Sequence, residues 1–297
     1  MSQSFAAPSA TFTEIAVIRW LRDLIGYANP AAGDVTTVWD VGGVTTYGGA
    51  GSNTTAMMLA RENIAPGTMH QGVTDATRMH IVVPAGIGHY SVKSALEWIG
   101  CGGRIIEVPT TGYRYDLATL ERTLRERRSE IMAVVAYPGD SRTHTVENLR
   151  AVHDVTRAID PRIWLHADAC WGLMCAFAPE LAHKIAGIED FDSVTVDPHK
   201  VMDPLRDVRA PGPRPRVAAA DLLVLGPDHA GGLRVRPGHA VYRHQGVVLG
   251  QALGDDARPR PPRARGPHAP PPHHHENLHR SCRRQPPPAA PERPPPT

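Results

Sequence analysis

The sequence predicts an α/β fold, with a largely parallel sheet and helices on both of its faces. Three observations predict it. Segments with the apolar spacing of a helix alternate with short strand-like runs through the first two hundred residues. Repeated alternation of that kind builds a parallel sheet flanked by helices. The chemically unusual residues fall just after strand-like runs, which is where open α/β sheets bind their ligands.

The elements follow in order. TEIAVIRWLRDLIGY sets Ile15, Ile18, Leu21, Leu24 and Ile25 at helical spacing, and Gly26 can close that helix. After a Gly-rich turn, NTTAMMLARE reads as a second helix. MHIVVP reads as a buried strand, SVKSALEWIG as a helix and RIIEVP as a strand. YDLATLERTLRER is a helix with Asp116 near its start, where a carboxylate suits the helix dipole. IMAVVAY is a strand, VENLRAVHDVTRAI a helix, and IWLHAD and DSVTVD are two more strands.

Composition divides the chain in two. Of 29 prolines, 9 precede Lys200 and 20 follow it, and beyond Met202 there is no Ile, Phe, Trp or Lys. Such a segment buries too little apolar surface to offset its ordering entropy. We expect residues 1–202 to form the folded core and 203–297 to be a disordered or out-of-frame Pro/Arg/His-rich tail. A shifted reading frame is the explanation we favour over a natural Pro-rich extension, because reading one base later allows PYGTCALLVRDP in place of PLRDVRAPGPRP. The nucleotide sequence around codon 203 decides between them.

The formal charge of +2 gives no reason to expect a nucleic-acid or membrane partner. No window approaches the roughly 18 apolar residues a membrane span needs, and MSQSFAAPSATFTE has no signal-peptide pattern. Cys101, Cys170, Cys175 and Cys282 show no metal-ligand spacing, so no metal is expected and a reduced cytoplasmic setting is. The run His273 to His275 lies in the tail and is given no role.

Four clusters sit at strand ends. In GGVTTYGGAGSNTTA, Gly48, Gly49 and Gly51 let the backbone approach a ligand, and the helix start behind them suits a phosphate. It is not a P-loop, since no Lys-Ser/Thr pair closes it. GIGHYSVKSA sets His89 ahead of a helix. IWLHADACWG puts Asp168 at a strand end, where a buried carboxylate asks for a positive partner. DSVTVDPHK puts Lys200, one of three lysines, on the same sheet edge. Each has a plain structural reading by itself: a turn, a surface His, a helix cap, a solvated charge. Together they meet the needs of pyridoxal 5′-phosphate, which takes an amine, an acid facing its ring nitrogen and a phosphate anchor.

These stretches, TTYGGAGSN, GHYSVKSA, IWLHADACWG and DSVTVDPHK, resemble the group II pyridoxal-phosphate-dependent amino acid decarboxylases, over about Ala10 to Met202. The resemblance implies the type I, aspartate-aminotransferase-like large domain, a homodimer, and decarboxylation of an L-amino acid to the amine and carbon dioxide. It implies that Lys200 carries the cofactor with His199 beside it, and that Asp168 pairs with the pyridine nitrogen. Cys170 would pack beneath the ring and His89 over its other face. Gly49 and Ala50 would open the phosphate loop, and Ser193 would add a further phosphate contact.

Several positions depart from the family pattern. Ala50 stands where Ser or Thr is common, removing a phosphate hydroxyl. The family's GTT-like turn reads PGDSRT, leaving Asp140 and Ser141 without an assigned part. The chain begins close to the helix at Thr13, so the arm that embraces a partner subunit is expected to be absent or very short. The mobile catalytic loop and small C-terminal domain are not recognisable after Lys200. The alternatives are a related pyridoxal-phosphate lyase that cleaves a different bond, a catalytically dead remnant that binds cofactor at most, and an interaction protein using the Pro-rich tail.

Overall fold

The computed structural model describes residues 8–35, 38–201 and 221–226. The catalytic loop, the tail composition and the His273 to His275 run concern residues outside these.

Helix α1 spans Pro8–Ile25, five residues longer at its start than the apolar spacing marked. Pro8 fits a first helical position, where its missing N–H is no loss. Gly26 closes the helix as expected, at φ 93° with its N–H on the Arg22 carbonyl. Strand β1, Gly43–Thr46, precedes α2, Gly49–Ile64. The glycines thought to form a turn are therefore the first turn of α2, and Gly48, at φ 128°, is its cap. A short helix α3, Thr68–Gln71, leads to β2, His80–Pro84, α4, Tyr90–Trp98, and β3, Ile105–Val108. A small hairpin of β4, Thr110–Thr111, and β5, Arg114–Tyr115, opens onto α5, Leu117–Glu126, whose cap Asp116 accepts the Thr119 N–H at 2.7 Å. β6 is Ile131–Ala136 and α6 is Leu149–Ile159; α6 starts three residues later than its sequence pattern because Asn148 caps it. β7, Trp164–Asp168, a short α7, Pro179–Ala182, β8, Ser193–Val196, and α8, Pro198–Val201, complete the run to Lys200.

One strand corrects the expected boundary at residue 202. Asp221–Leu225 forms β9 and lies inside the sheet, between β1 and β8. Leu222 to Leu225 is a run of four apolar residues, the composition of an interior strand, and Val224 is fully buried. The sheet order is β1-β9-β8-β7-β6-β2-β3. β8, β7, β6, β2 and β3 run parallel, while β9 runs antiparallel to both β8 and β1.

Alternation along the strands separates two apolar layers. Val82, Val134, Leu165, Ala167 and Val194 face a core built with α1, α5 and α6. Ile81, Val83, Ala133, Val135 and Trp164 face the other way, into a core with α2 and α4. Helices therefore cover both faces, as predicted. No helix among the described residues is long and apolar enough to cross a membrane.

Candidate active site

The carboxyl ends of β7 and β8 bring the expected residues together. Asp168, the last residue of β7, is 4% exposed, and Thr195 of β8 lies opposite it. One residue past β8 the chain turns at Asp197-Pro198 into α8, which carries Lys200. The Lys200 amine is held 2.8 Å from Asp197 Oδ2, in a pair whose carboxylate is buried. Burial works against the Lys200 charge. The carboxylates of Asp197 and Asp168 outweigh it and hold the amine above its ordinary value. Burial also pushes the Cys170 thiol far up, so Cys170 is neutral wherever Lys200 titrates and the carboxylates carry the effect.

Cys170 lies two residues past Asp168, buried, with its N–H 3.3 Å from Asp168 Oδ1. His89 caps α4, its Nδ1 accepting from the Ser91 N–H at 3.2 Å. Burial lowers its pKa and Lys200 adds to that, against the opposite pull of Asp168 and Asp197. His89, Asp168, Asp197 and Lys200 are thus near enough for each charge to act on the imidazole. The backbone of His199 lies in α8 with Lys200.

Helix α2 begins beside these residues. Its cap Gly48 offers no side chain, so no side-chain cap bonds the first-turn amides at Gly49, Ala50 and Gly51. By contrast α4, α5 and α6 are each capped by a side chain, His89, Asp116 and Asn148. The hydroxyls of Thr46 and Ser52, 2.7 Å apart, stand beside the turn that Ala50 leaves without one. At Gly51 an added Cβ would meet the Tyr47 ring at 3.1 Å, so the turn tolerates no larger residue there without movement. Asn53, one turn into α2, donates to Asp168 Oδ2 at 3.0 Å. The α2 start therefore lies about 6 Å along the helix axis from that contact.

Ser193 departs from its expected place. It is buried at the beginning of β8 rather than at its end, and its hydroxyl bonds Trp164 Nε1 and His166 Nδ1, both at 2.8 Å. β8 enters the sheet at this residue, which puts the side chain below the binding edge. Asp140, left without a part by the sequence, accepts the Gly88 N–H at 2.9 Å and so fixes the residue before His89. Backbone N–H bonds from Gly88, Thr143 and Arg142 outweigh its burial and keep its carboxyl below the usual value.

Sequence reasoning missed Asn53 and His166. Both carried a signal. Ser52, Asn53, Ala56, Met57 and Ala60 recur at helical spacing and are all buried, so Asn53 sits on the core-facing stripe of α2. His166 alternates with Asp168 on β7 and must share its face.

The donor set fits pyridoxal 5′-phosphate: an amine, a buried carboxylate on the adjacent strand end, a neutral imidazole, and a helix start that the protein leaves uncapped. The chain is 31% identical over 166 residues to a glutamate decarboxylase-like protein of Gibberella zeae, covering 54% of this chain and 31% of that protein. It is 28% identical over 211 residues to the L-2,4-diaminobutyrate decarboxylase of Acinetobacter baumannii, covering 65% and 39%. The solved structure of mouse CSAD superimposes with a TM-score of 0.62 at 25% identity, covering 76% of this chain and 43% of that one. The chain thus spans about a third of the length of the curated relatives it matches. The model of the pyridoxal-dependent decarboxylase conserved domain matches residues 2–210, and the chain belongs to that family.

Proposed function

We propose that this chain binds pyridoxal 5′-phosphate at the carboxyl ends of β7 and β8, and that the protein decarboxylates an L-amino acid to the amine and carbon dioxide. One observation carries the reading: the Lys200 amine, paired with Asp197 just past the end of β8, and the buried Asp168 carboxylate at the end of neighbouring β7 lie close enough for their charges to interact, with the uncapped start of α2 one turn beyond the Asn53–Asp168 bond. The relatives named above differ in substrate, so the proposal stops at the amino acid class.

When bound, the cofactor supplies an electron sink for the pair left at Cα as carbon dioxide departs. The chain's own residues do the rest. Lys200 would provide the amine that tethers the cofactor. Asp168 holds a proton on the ring nitrogen and so keeps the sink effective. His89, neutral because burial lowers its pKa, offers an uncharged aromatic face. The first amides of α2 hold the phosphate.

Borohydride reduction with pyridoxal phosphate, followed by peptide mass mapping, tests the site. A pyridoxyl mark confined to Lys200, lost in Lys200→Ala, supports the reading. Marks spread over Lys93 and Lys184 as well would defeat it. Release of carbon dioxide from a panel of amino acids tests the reaction. Because the carboxylates hold Lys200 protonated, and tethering needs the free amine, its rate should climb as pH rises toward and past the ordinary lysine value. Asp197→Asn should move that climb to lower pH; an unmoved profile would remove Asp197 from the argument.

Homodimer formation and a cytoplasmic setting belong to the same proposal. Phe12, Trp20 and Phe177 are exposed, with the Trp20 and Phe177 rings 5.5 Å apart, which supports a covered surface in the assembly. The free thiols of Cys101, Cys170 and Cys175 support a reducing compartment. Light scattering on the purified chain tests the first, and fractionation of the producing cell the second.

A further inference from the structure

Behind the site lies a set of buried polar side chains whose donors and acceptors match in only one way. Trp164, His166 and Asp168 share one face of β7, and Ser193 and Thr195 stand beside them on β8. Helix α2 covers that face and lays Asn53 across it. Trp164, His166, Ser193, Asn53 and Ser91 are all buried.

Asp168 as a carboxylate only accepts, so the Asn53 atom 3.0 Å from Oδ2 is the amide nitrogen. The second hydrogen of that nitrogen goes to Ser91 Oγ at 2.9 Å. Asn53 Oδ1 then faces His166 Nε2 at 3.0 Å, and two acceptors cannot meet there, so Nε2 carries the proton. Burial lowers the His166 pKa to about 4, and the ring is neutral. Its Nδ1 therefore accepts, from the Ser193 hydroxyl at 2.8 Å. The Ser193 oxygen accepts in turn from the Trp164 indole N–H, which can only donate. On the other branch Ser91, having accepted from Asn53, donates to His89 Nδ1 at 2.7 Å. Reversing one link sets two lone pairs or two hydrogens face to face among buried side chains.

We propose that Asn53 is the positioning residue of this site: its single amide, fixed in orientation by the Trp164–Ser193–His166 chain, sets Asp168 and His89 together. That these two groups serve a cofactor rests on the pyridoxal-phosphate reading; the direction of each hydrogen bond does not.

The test uses the full chain with ¹⁵N-labelled histidine, first without cofactor. His89 and His166 should both be neutral at pH 7 with the proton on Nε2, and a proton on His166 Nδ1 overturns the proposal whatever the site binds. Asn53→Ala should leave the His89 tautomer in place, because the Ser91 N–H also sets it, and should shift the His166 Nε2 signal, which loses the Asn53 Oδ1 acceptor; an unchanged His166 signal also overturns the proposal. With pyridoxal phosphate added, Asn53→Ala should bind roughly ten- to a hundredfold more weakly, the loss expected for hydrogen bonds to a charged group. A second pair separates positioning from packing. His166→Gln keeps a donor where Nε2–H stood, whereas His166→Asn keeps only the link to Ser193. Affinity retained in the first and lost in the second supports the proposal, and equal affinities contradict it. If the unmodified chain takes up no pyridoxal phosphate, the cofactor reading fails, and the tautomers alone decide the part of Asn53.

Discussion

Leu165 and Ala167 point from β7 into the core shared with α1, α5 and α6, whereas Trp164, His166 and Asp168 point from the same strand toward α2. The first face is held by area removed from water, which is indifferent to direction and sums over many neighbours. The second packs Trp164 into the core with α2 and α4 and, beyond it, is held by a directional chain of buried hydrogen bonds. The first face should therefore answer to volume, whereas at His166 and Asp168 the second should answer to the placement of donors and acceptors. The edge proposed for the cofactor lies at the end of the second.

The widest test of that contrast is on the apolar face. Leu165 is fully buried in the middle of β7, and Leu165→Ala should cost about 2–5 kcal/mol, through lost transfer free energy and the cavity left behind. Leu165→Met, which conserves volume, should cost less than about 1.5 kcal/mol. Urea unfolding measures both. Pyridoxal phosphate affinity in the folded fraction should stay within a few-fold of the parent, and a hundredfold loss would mean that the two faces are not separable.

On the polar face the sharper probe is acid. His166 is buried and neutral, and its pKa falls from 6.5 to about 4. Between those values the unfolded chain binds a proton that the folded chain refuses, so stability rises with pH across that window. The contribution is complete above the unfolded value and is lost as pH falls toward 4, amounting to about 3 kcal/mol. Urea midpoints measured from pH 7 down to 4 should fall with this slope, and His166→Gln should flatten it. A slope unchanged by the substitution would place the titrating group elsewhere, His89 first, since burial lowers its pKa as well.

The apolar face was legible in the sequence, and the polar one only in part. β2, β6, β7 and β8 appear as apolar runs, and α1, α5 and α6 as spaced ones, because burial imposes a period that one residue at a time can reveal. The start of α2 was not legible as helix, since Gly49 and Gly51 disfavour helix and the gain that offsets them is tertiary. β9 was overlooked because the prolines around it dominated the composition, although Leu222 to Leu225 reads as a short buried strand. At the site, Asp168, Lys200 and His89 stood out because they follow strands or precede a helix. Ser193 was misplaced and Asn53 and His166 were missed for one reason. Their partners are 27 to 115 residues away in the chain, and what a hydroxyl or amide bonds to is decided by which helix covers which strand.

The smallest effect expected concerns the helix starts. Asn148 begins α6 on the apolar side, its Oδ1 accepting the Ala151 N–H at 3.2 Å, and it touches nothing at the cofactor edge. Asn148→Ala should cost about 1 kcal/mol, and Asn148→Gly only a few tenths, because glycine adopts the cap conformation without the side-chain bond. Neither should alter pyridoxal phosphate affinity. Gly48 holds the equivalent position on α2, at φ 128° and with no side chain to offer, so the amides behind it stay open to a phosphate. At α6 a side chain closes the helix start, and at α2 the chain leaves it open. If Asn148→Ala weakened cofactor binding as much as it weakened the fold, that distinction between the two helix starts would be wrong.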